Sequence, residues 1–243
     1  MVQYSILAFK IMNNPDRITL WLTRHYMSIF NLFIFIYIGL PFLAPGLMKV
    51  GMTMPANLIY KTYSFTCHQL AFRSWFLFGE QAAYPRKTAA VQGLESYEAA
   101  TGFDTNDFFK ARNFNGDDFH GYKIALCERD VAIYASILLF GLIFSLTGRK
   151  IFPLPWYIWV FIGIVPLGID GVSQLASQLP LSFIQQLLPY RESTPLLRTL
   201  TGFLFGLTTA WFAYPLVEMS MQDTIRLSKS KQVRLINNNS SIE

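Results

Sequence analysis

This sequence contains four long apolar stretches that are almost free of charged residues. Residues 28–47 (SIFNLFIFIYIGLPFLAPGL), 131–147 and 199–217 carry no charge, and 155–178 carry only Asp170. A bilayer's hydrocarbon core is about 30 Å thick and needs about 20 helical residues to cross it. The sequence therefore predicts an all-α fold, a multi-pass transmembrane helical bundle, with spans at about 26–48, 128–147, 155–178 and 198–218.

Prolines and glycines refine this prediction. Pro41 and Pro45 are expected to kink the first helix or to end it early, because proline removes a backbone donor. Gly202 and Gly206 stand four residues apart in the last span. This spacing lets a neighbouring helix approach closely, so we interpret it as a packing feature.

Composition supports a membrane location and argues against nucleic acid as a partner. Only 14% of the residues are charged, whereas a typical soluble domain is nearer a quarter charged. The net charge is +5, but the basic residues flank apolar runs, which is typical of membrane topology signals. We expect the lipid bilayer as the main partner, and a membrane-complex subunit or a second copy of the chain as a further one.

The region between the first two spans differs from the rest of the chain. Residues 55–79 are aromatic and compatible with a helix, but Lys61, His68 and Arg73 argue against a fifth lipid-exposed span. An interfacial helix, on the membrane surface or against the bundle, fits this stretch better. Residues 80–126 hold seven of the 15 acidic side chains and form a polar insertion.

Basic residues predict the orientation. With four spans, the N-terminus, the 148–154 loop and the basic tail at 220–243 share one side, and they hold Arg17, Arg149, Lys150 and Arg226 among others. Such residues favour the cytoplasmic side. The sequence thus predicts a multi-pass protein of the cell membrane with both termini cytoplasmic and the 80–126 insertion extracytoplasmic.

A polar cluster is predicted at the outer end of the bundle. An ionised Asp170 in a membrane helix needs a partner, and Arg129 and Arg198 are the nearest arginines by depth. The cluster is either a ligand or proton site, or an ion pair that holds the helices together. Its predicted members are Gln69, Arg73, Glu128, Arg129, Asp130, Tyr134, Asp170, Gln174, Arg191, Glu192 and Arg198.

The two cysteines leave several alternatives open. Cys67 and Cys127 on the outer side favour a disulfide that joins the interfacial helix to the second span. They are also candidate zinc ligands together with His68 and His120, since thiolate and imidazole suit zinc. A redox site would normally have Cys-x-x-Cys, which is absent, and two free thiols are the remaining alternative.

Four short pieces carry a resemblance to a known family. Together they reach from about 60 to 206, and they resemble a family of uncharacterised prokaryotic membrane proteins, domain of unknown function 2085. The resemblance implies a small helical membrane protein and favours one assembled polar site, but it implies no reaction. The pieces are Cys67-His68-Gln69 with Arg73-Ser74, Cys127-x-Arg129-Asp130 with Ala132-Ile133-Tyr134, Pro166-Leu-Gly-Ile-Asp170-Gly171 with Gln174, and Arg191-Glu192-Ser193 with Arg198 and Thr201-Gly202.

Three functions follow from the sequence. The first is metal or small-solute binding at the outer polar site. The second is a structural or accessory subunit of a larger membrane complex, contacted through 80–126. A thiol enzyme of the membrane is the third, and the absence of a Cys-x-x-Cys motif argues against it. Four spans without paired inverted repeats also argue against a stand-alone transporter.

Overall fold

The computed structural model describes residues 14–104, 106–179 and 190–240. Short 3₁₀ turns add Ala71–Arg73 and Lys87–Ala89. The three strands are β1 (Ser74–Leu77), β2 (Gly116–Asp117) and β3 (Gly121–Cys127). In chain order the helices are α1 (Asn14–Lys49), α2 (Thr53–Tyr63), α3 (Tyr97–Thr101), α4 (Phe108–Asn113), α5 (Glu128–Leu146), α6 (Trp156–Ser177) and α7 (Pro195–Ser240).

Four of these helices, α1, α5, α6 and α7, are long and apolar enough to cross a membrane. They confirm the predicted multi-pass helical fold. Apolar side chains point outward along them, as with Phe33 of α1 and Phe161 of α6. A bilayer satisfies such a surface, because lipid tails do not penalise exposed apolar groups as water does.

The four helices alternate in direction. The start of α5 contacts the start of α7, where Arg129 lies beside Gly202, and so these two helices run parallel. α1 runs the opposite way, because Tyr26 near its start bonds to Glu218 far along α7. α6 is also antiparallel to α7, since its Trp159 bonds to Thr209. This alternation is what four successive crossings require, with α2 outside the count.

Helices α5 and α7 approach closely at the two predicted glycines. A Cβ on Gly202 would lie 2.7 Å from the backbone oxygen of Arg129, and one on Gly206 would lie 2.3 Å from that of Ile133. Both distances are too short for a side chain. The glycines therefore permit the contact of backbones that the sequence spacing predicts.

The prolines of α1 do not end it early. The helix continues through Pro41 and Pro45 to Lys49, so that part of the expectation is wrong. Neighbouring elements pack around this segment, where Ala44 is fully buried against α2 and β3. Helices in a membrane tolerate proline where surrounding structure compensates the lost hydrogen bond.

The 55–79 stretch is helical only in its first part, and this corrects the expectation of a helix along its whole length. α2 ends at Tyr63, a turn follows, and Ser74–Leu77 form β1. α2 packs against α1 and β3 through Ala56, Tyr60 and Tyr63. Of the two placements predicted for this helix, packing against the bundle is the one observed.

The insertion contains a small sheet that the sequence did not predict. Its strand order is β1-β3-β2, both pairs are antiparallel, and Ser74 is opposite Cys127. An aromatic core that includes Phe72, Phe76, Tyr84 and Tyr97 packs beneath it. The sheet joins residues about 50 positions apart and thereby brings the 67–74 segment to the start of α5.

The predicted basic tail also differs in form. α7 continues through the basic residues to Ser240, so most of 220–243 is a helical extension of the last span. At this end of the bundle Arg149 donates to the backbone oxygen of Arg24 at 2.9 Å and lies 3.5 Å from Glu218. We call this the basic end, and the end that carries the insertion the insertion end.

Candidate functional site

Two cysteines meet at the insertion end. Cys67 follows the turn after α2, and Cys127 ends β3 and caps α5, with its Sγ accepting from the N–H of Asp130 at 3.5 Å. The N–H of Cys127 donates to the Sγ of Cys67 at 3.3 Å. Both thiols are free. The β1–β3 pairing is what holds these distant parts of the chain together.

Asp130 joins the thiols. The two Sγ atoms and a carboxylate oxygen of Asp130 all lie within 4.8 Å of one another. Cys127 and Asp130 are held by the first turn of α5, and Cys67 is buried beside them. Two sulfurs and one oxygen in such a group match the ligand preferences of zinc and related metals.

The two thiols differ in acidity because they share a hydrogen bond. The contact with Cys127 lowers the pKa of Cys67 despite burial, and the N–H of Gln69 supports the same direction. The hydrogen bond with Cys67 and burial raise the pKa of Cys127 well above its usual value. The first proton of the pair therefore leaves from Cys67, and the second is harder to remove beside that thiolate.

The thiols open onto a cleft of about 260 Å³. One wall is the 66–70 segment, which includes the exposed His68. The opposite wall comes from α5, α6 and α7. The residues that line the whole cleft are Thr66, Cys67, His68, Gln69, Leu70, Arg73, Cys127, Arg129, Asp130, Gln174 and Arg198.

A buried carboxylate, Glu192, organises the floor beside this cleft. Arg73 binds it through Nε at 2.8 Å and Nη2 at 3.2 Å. Such two-point contacts fix the guanidinium plane. In the described residues the carboxylate accepts from five side chains, namely Arg73, Arg86, Gln174, Gln178 and Arg198.

Asp170 is the second organising carboxylate. It accepts from Arg129 at 2.5 Å, from Arg191 at 2.8 Å and from Ser193 at 2.8 Å. Arg129, one of the two partners expected from depth, does pair with it. The other, Arg198, instead bonds to Glu192 and, at 3.2 Å, to Glu128.

The structure brings most of the predicted cluster together but leaves two residues apart. The Nδ1 of His120 bonds to Asp117 at 2.8 Å, at the turn between β2 and β3, and His120 is outside the group formed by the thiols and Asp130. Tyr134 packs against Tyr37 with ring centroids 4.6 Å apart, and it is not among the residues that line the cleft.

Sequence reasoning missed two buried cations of the insertion. Arg86 is almost fully buried and bonds to Glu192 and to the hydroxyl of Tyr190. Lys123 is fully buried, and its Nζ donates to the backbone oxygens of Gln69, at 2.9 Å, and of Arg112. Both lie in the 80–126 stretch, which the sequence predicts as a polar insertion. A weak signal was the apolar context of Lys123 in GYKIALC.

Comparison with known proteins agrees with this architecture. A family model described as "Predicted membrane protein (DUF2085)" matches residues 110–212, which confirms the resemblance found in the sequence. A relative named "Uncharacterized protein MJ1492" from Methanocaldococcus jannaschii is 25% identical over 202 residues, covering 79% of this chain and 92% of that protein. No solved structure matches the chain significantly.

The family match divides the site. Residues 110–212 include Cys127, Arg129, Asp130 and both organising carboxylates, whereas Cys67 and Arg73 lie outside it. The matched part therefore supplies one wall of the cleft, and the segment after α2 supplies the other.

Proposed function

We propose that this chain is a multi-pass membrane protein that binds a divalent transition metal ion, such as zinc, through Cys67, Cys127 and Asp130. The carrying observation is that two thiols and a carboxylate, none of them adjacent in the chain, lie within 4.8 Å of one another on the wall of an open cleft.

The distances among the two Sγ atoms and the Asp130 oxygen allow metal binding after small adjustments of the side chains. Zinc bonds of about 2.0–2.3 Å place neighbouring ligand atoms of a tetrahedral site about 3.3–3.8 Å apart. The three atoms here lie within 4.8 Å of one another, so they need to close by about 1.5 Å at most to reach that spacing. Cys127 and Asp130 are on one helical turn, which limits the closure to side-chain rotation.

The open cleft suggests an exchangeable fourth position. Sites with three protein ligands and one open position bind water or substrate, whereas structural zinc sites are usually closed by four protein ligands. His68 is exposed on the same cleft wall and is the nearest candidate for a fourth ligand from the chain. Its exposed position would let it exchange with a small solute.

The proposal includes an extracytoplasmic location of the site. The opposite, basic end carries Arg24, Arg149, Lys150 and Arg226, and basic flanks favour the cytoplasm. An outer site would meet metal ions of the medium directly. It would also meet oxidants that convert paired thiols into a disulfide, so oxidation competes with metal binding.

Metal analysis of the purified, reduced protein tests the proposal. We expect one zinc ion per chain, with affinity lowered at least about tenfold in Cys67→Ser, Cys127→Ser and Asp130→Asn. Cobalt substitution should give thiolate charge-transfer bands that both serine variants lose. Asp117→Asn, which removes the carboxylate beside His120, is the matched control and should leave affinity unchanged.

Two results would contradict metal binding. One is a reduced wild-type protein that binds zinc no more tightly than the double variant Cys67→Ser/Cys127→Ser. The other is a protein isolated as a stable Cys67–Cys127 disulfide that resists mild reductant, which would assign the pair a structural role.

A subunit of a larger membrane complex is the second candidate. Phe65, Phe78, Phe109 and Phe119 are more than half exposed around the insertion. Large exposed apolar side chains rimmed by polar residues are typical of interaction sites. Crosslinking in native membranes from photoreactive groups at Phe109 and Phe119 tests this. A discrete protein adduct supports a partner, and labelling of lipid alone contradicts it.

A further inference from the structure

We infer that the cleft also binds a small oxyanion, a phosphate or carboxylate group, between Arg73 and Arg129. This anion site lies beside the thiols but does not require the metal of the preceding proposal. Arg73, Arg129 and Arg198 line the cleft, and Asp130 is the acidic residue among its lining side chains.

Arg73 presents unused donors to the cleft. Its Nε and Nη2 are both held by Glu192, which leaves Nη1 free of hydrogen bonds within the described residues. The side chain is 25% exposed and stands over the ring of Phe72. The guanidinium is therefore fixed in place by one edge, and Arg73 is one of the residues that line the cleft.

Arg129 is held in a similar way from the other side. Its Nη2 bonds to Asp170, and its Nε is buried with no hydrogen-bond partner within the described residues. A buried donor without a partner is unfavourable. A ligand oxygen that enters from the cleft is one way to compensate it.

The carboxylates around the cleft are shared rather than matched one to one. Glu192 serves Arg73, Arg86 and Arg198, and Asp170 serves Arg129 and Arg191. Arg198 has Glu128 as a second acid. Among the side chains that line the cleft itself, three are arginines, Arg73, Arg129 and Arg198, and one is acidic, Asp130. This excess of positive charge favours an anion in the space between them.

The start of α5 adds to this preference. Cys127 caps that helix of 19 residues, and the cleft lies at its first turn. Helix N-termini attract anions through their free N–H groups and dipole. Helix α5 and the two arginines therefore act in the same direction on one small volume.

Size and geometry define the ligand class. The cleft, at about 260 Å³, is smaller than the roughly 300–1,000 Å³ of sites for drug-sized ligands. Guanidinium groups match the paired oxygens of carboxylates and phosphates. The ligand is thus a small free anion, or the phosphate of a lipid headgroup that reaches in from the bilayer surface.

Calorimetric titration of inorganic phosphate and of citrate into protein in maltoside micelles, with chelator present, tests the inference. We expect saturable binding of at least one anion, weakened about tenfold or more by Arg73→Gln and by Arg129→Gln. Arg73→Lys keeps the charge but not the fork, and should also bind more weakly. Lys61→Gln removes an exposed charge of α2 outside the cleft and should bind like wild type.

The same titration separates this inference from the metal proposal. Cys67→Ser/Cys127→Ser should retain anion binding, and its loss there would assign the anion to the metal rather than to the arginines. No saturable binding, or folded arginine variants that bind as tightly as Lys61→Gln, would overturn the inference. Thermal unfolding of each variant checks that it is folded.

Reconstitution distinguishes the two sources of the anion. If phosphatidylglycerol in nanodiscs abolishes binding of added phosphate that persists in micelles, a lipid headgroup occupies the arginine site. If added phosphate binds equally in both, the ligand is a free solute. Either result supports an oxyanion site at Arg73 and Arg129.

Discussion

Arg129 of α5 and Asp170 of α6 form an ion pair across two membrane helices, with Nη2 2.5 Å from Oδ2. Arg191 completes a triad on the same carboxylate. Asp170 lies in a stretch that is otherwise uncharged. Its negative charge can be buried there because two cations, Arg129 and Arg191, pair with it. The arrangement ties the start of α5 to the end of α6 at the rim of the cleft.

Replacing this carboxylate should destabilise the protein. Asp170→Asn leaves two arginines without their charge partner, and we expect a loss of roughly 2–3 kcal/mol in the free energy of unfolding. This is at or below the lower end of the about 3–5 kcal/mol seen for broken buried pairs, since Arg129 and Arg191 are 24% and 34% exposed and can be hydrated.

Unfolding in mixed micelles measures this loss. Asp223→Asn is the control, because its pair with Arg226 is largely exposed and such pairs contribute little. If both substitutions lowered the free energy of unfolding equally, the stabilising role of the Asp170 ion pairs would be contradicted.

The close approach of α5 and α7 makes a second prediction. In Gly206→Ala the new methyl group would meet the Oγ of Ser136 at 2.2 Å and the Ile133 oxygen at 2.3 Å. We expect destabilisation by about 1–3 kcal/mol, typical of overpacking. In Gly39→Ala the new methyl group meets nothing within 4 Å, so stability should stay equal or rise. Equivalent melting temperatures for both variants would contradict the packing described.

Lys123 predicts a pH dependence of stability. Burial lowers the pKa of Lys123 from 10.5 to about 7, and a neutral amine has two hydrogens for the oxygens of Gln69 and Arg112. Between these pKa values the unfolded state binds more protons than the folded state, so stability should rise from pH 7 towards pH 10.5. The slope is at most about 1.4 kcal/mol per pH unit.

Comparison with Lys123→Met isolates this effect from other titrating groups, including Cys67, Tyr60 and Arg112 around the amine. Only the difference in slope matters, because the variant loses two hydrogen bonds and is expected to be less stable at every pH. Parallel curves of unfolding free energy against pH would contradict the lowered pKa.

Topology can be tested with tags at two positions. We expect a reporter fused after Glu243 to be cytoplasmic, and an epitope inserted at the exposed Gly93 to be accessible on intact cells, because basic residues flank the basic end. Fusion elsewhere on the same side, at the 148–154 loop, controls for local disturbance. Three crossings, α5, α6 and α7, separate the two tags, so the tags should lie on opposite sides of the membrane. Finding both on one side would contradict the four-span order.

The helices were predictable because the bilayer leaves few alternatives. An uncharged run of about 20 residues has to satisfy its backbone internally, and a helix does so locally. Depth in the membrane gave Arg129 and Arg198 as candidate partners of Asp170, and Arg129 is the one observed. These inferences need only short-range information.

The insertion was not predictable in the same way. β1 has four residues, and its partner β3 lies about 50 positions away, so no local period identifies the pair. The burial of Arg86 and Lys123 depends on that sheet. The meeting of Cys67 with Cys127 does too. Sequence alone therefore favoured a disulfide between them and left metal binding, a redox role and free thiols as alternatives.

X-ray absorption at the zinc edge, on reduced protein loaded with one equivalent of zinc, tests the metal proposal most directly. The proposed site predicts two sulfur ligands at about 2.3 Å and oxygen or nitrogen ligands at about 2.0–2.2 Å, with one sulfur lost in Cys67→Ser and one in Cys127→Ser. A spectrum with only oxygen and nitrogen ligands, unchanged in both variants, would contradict it.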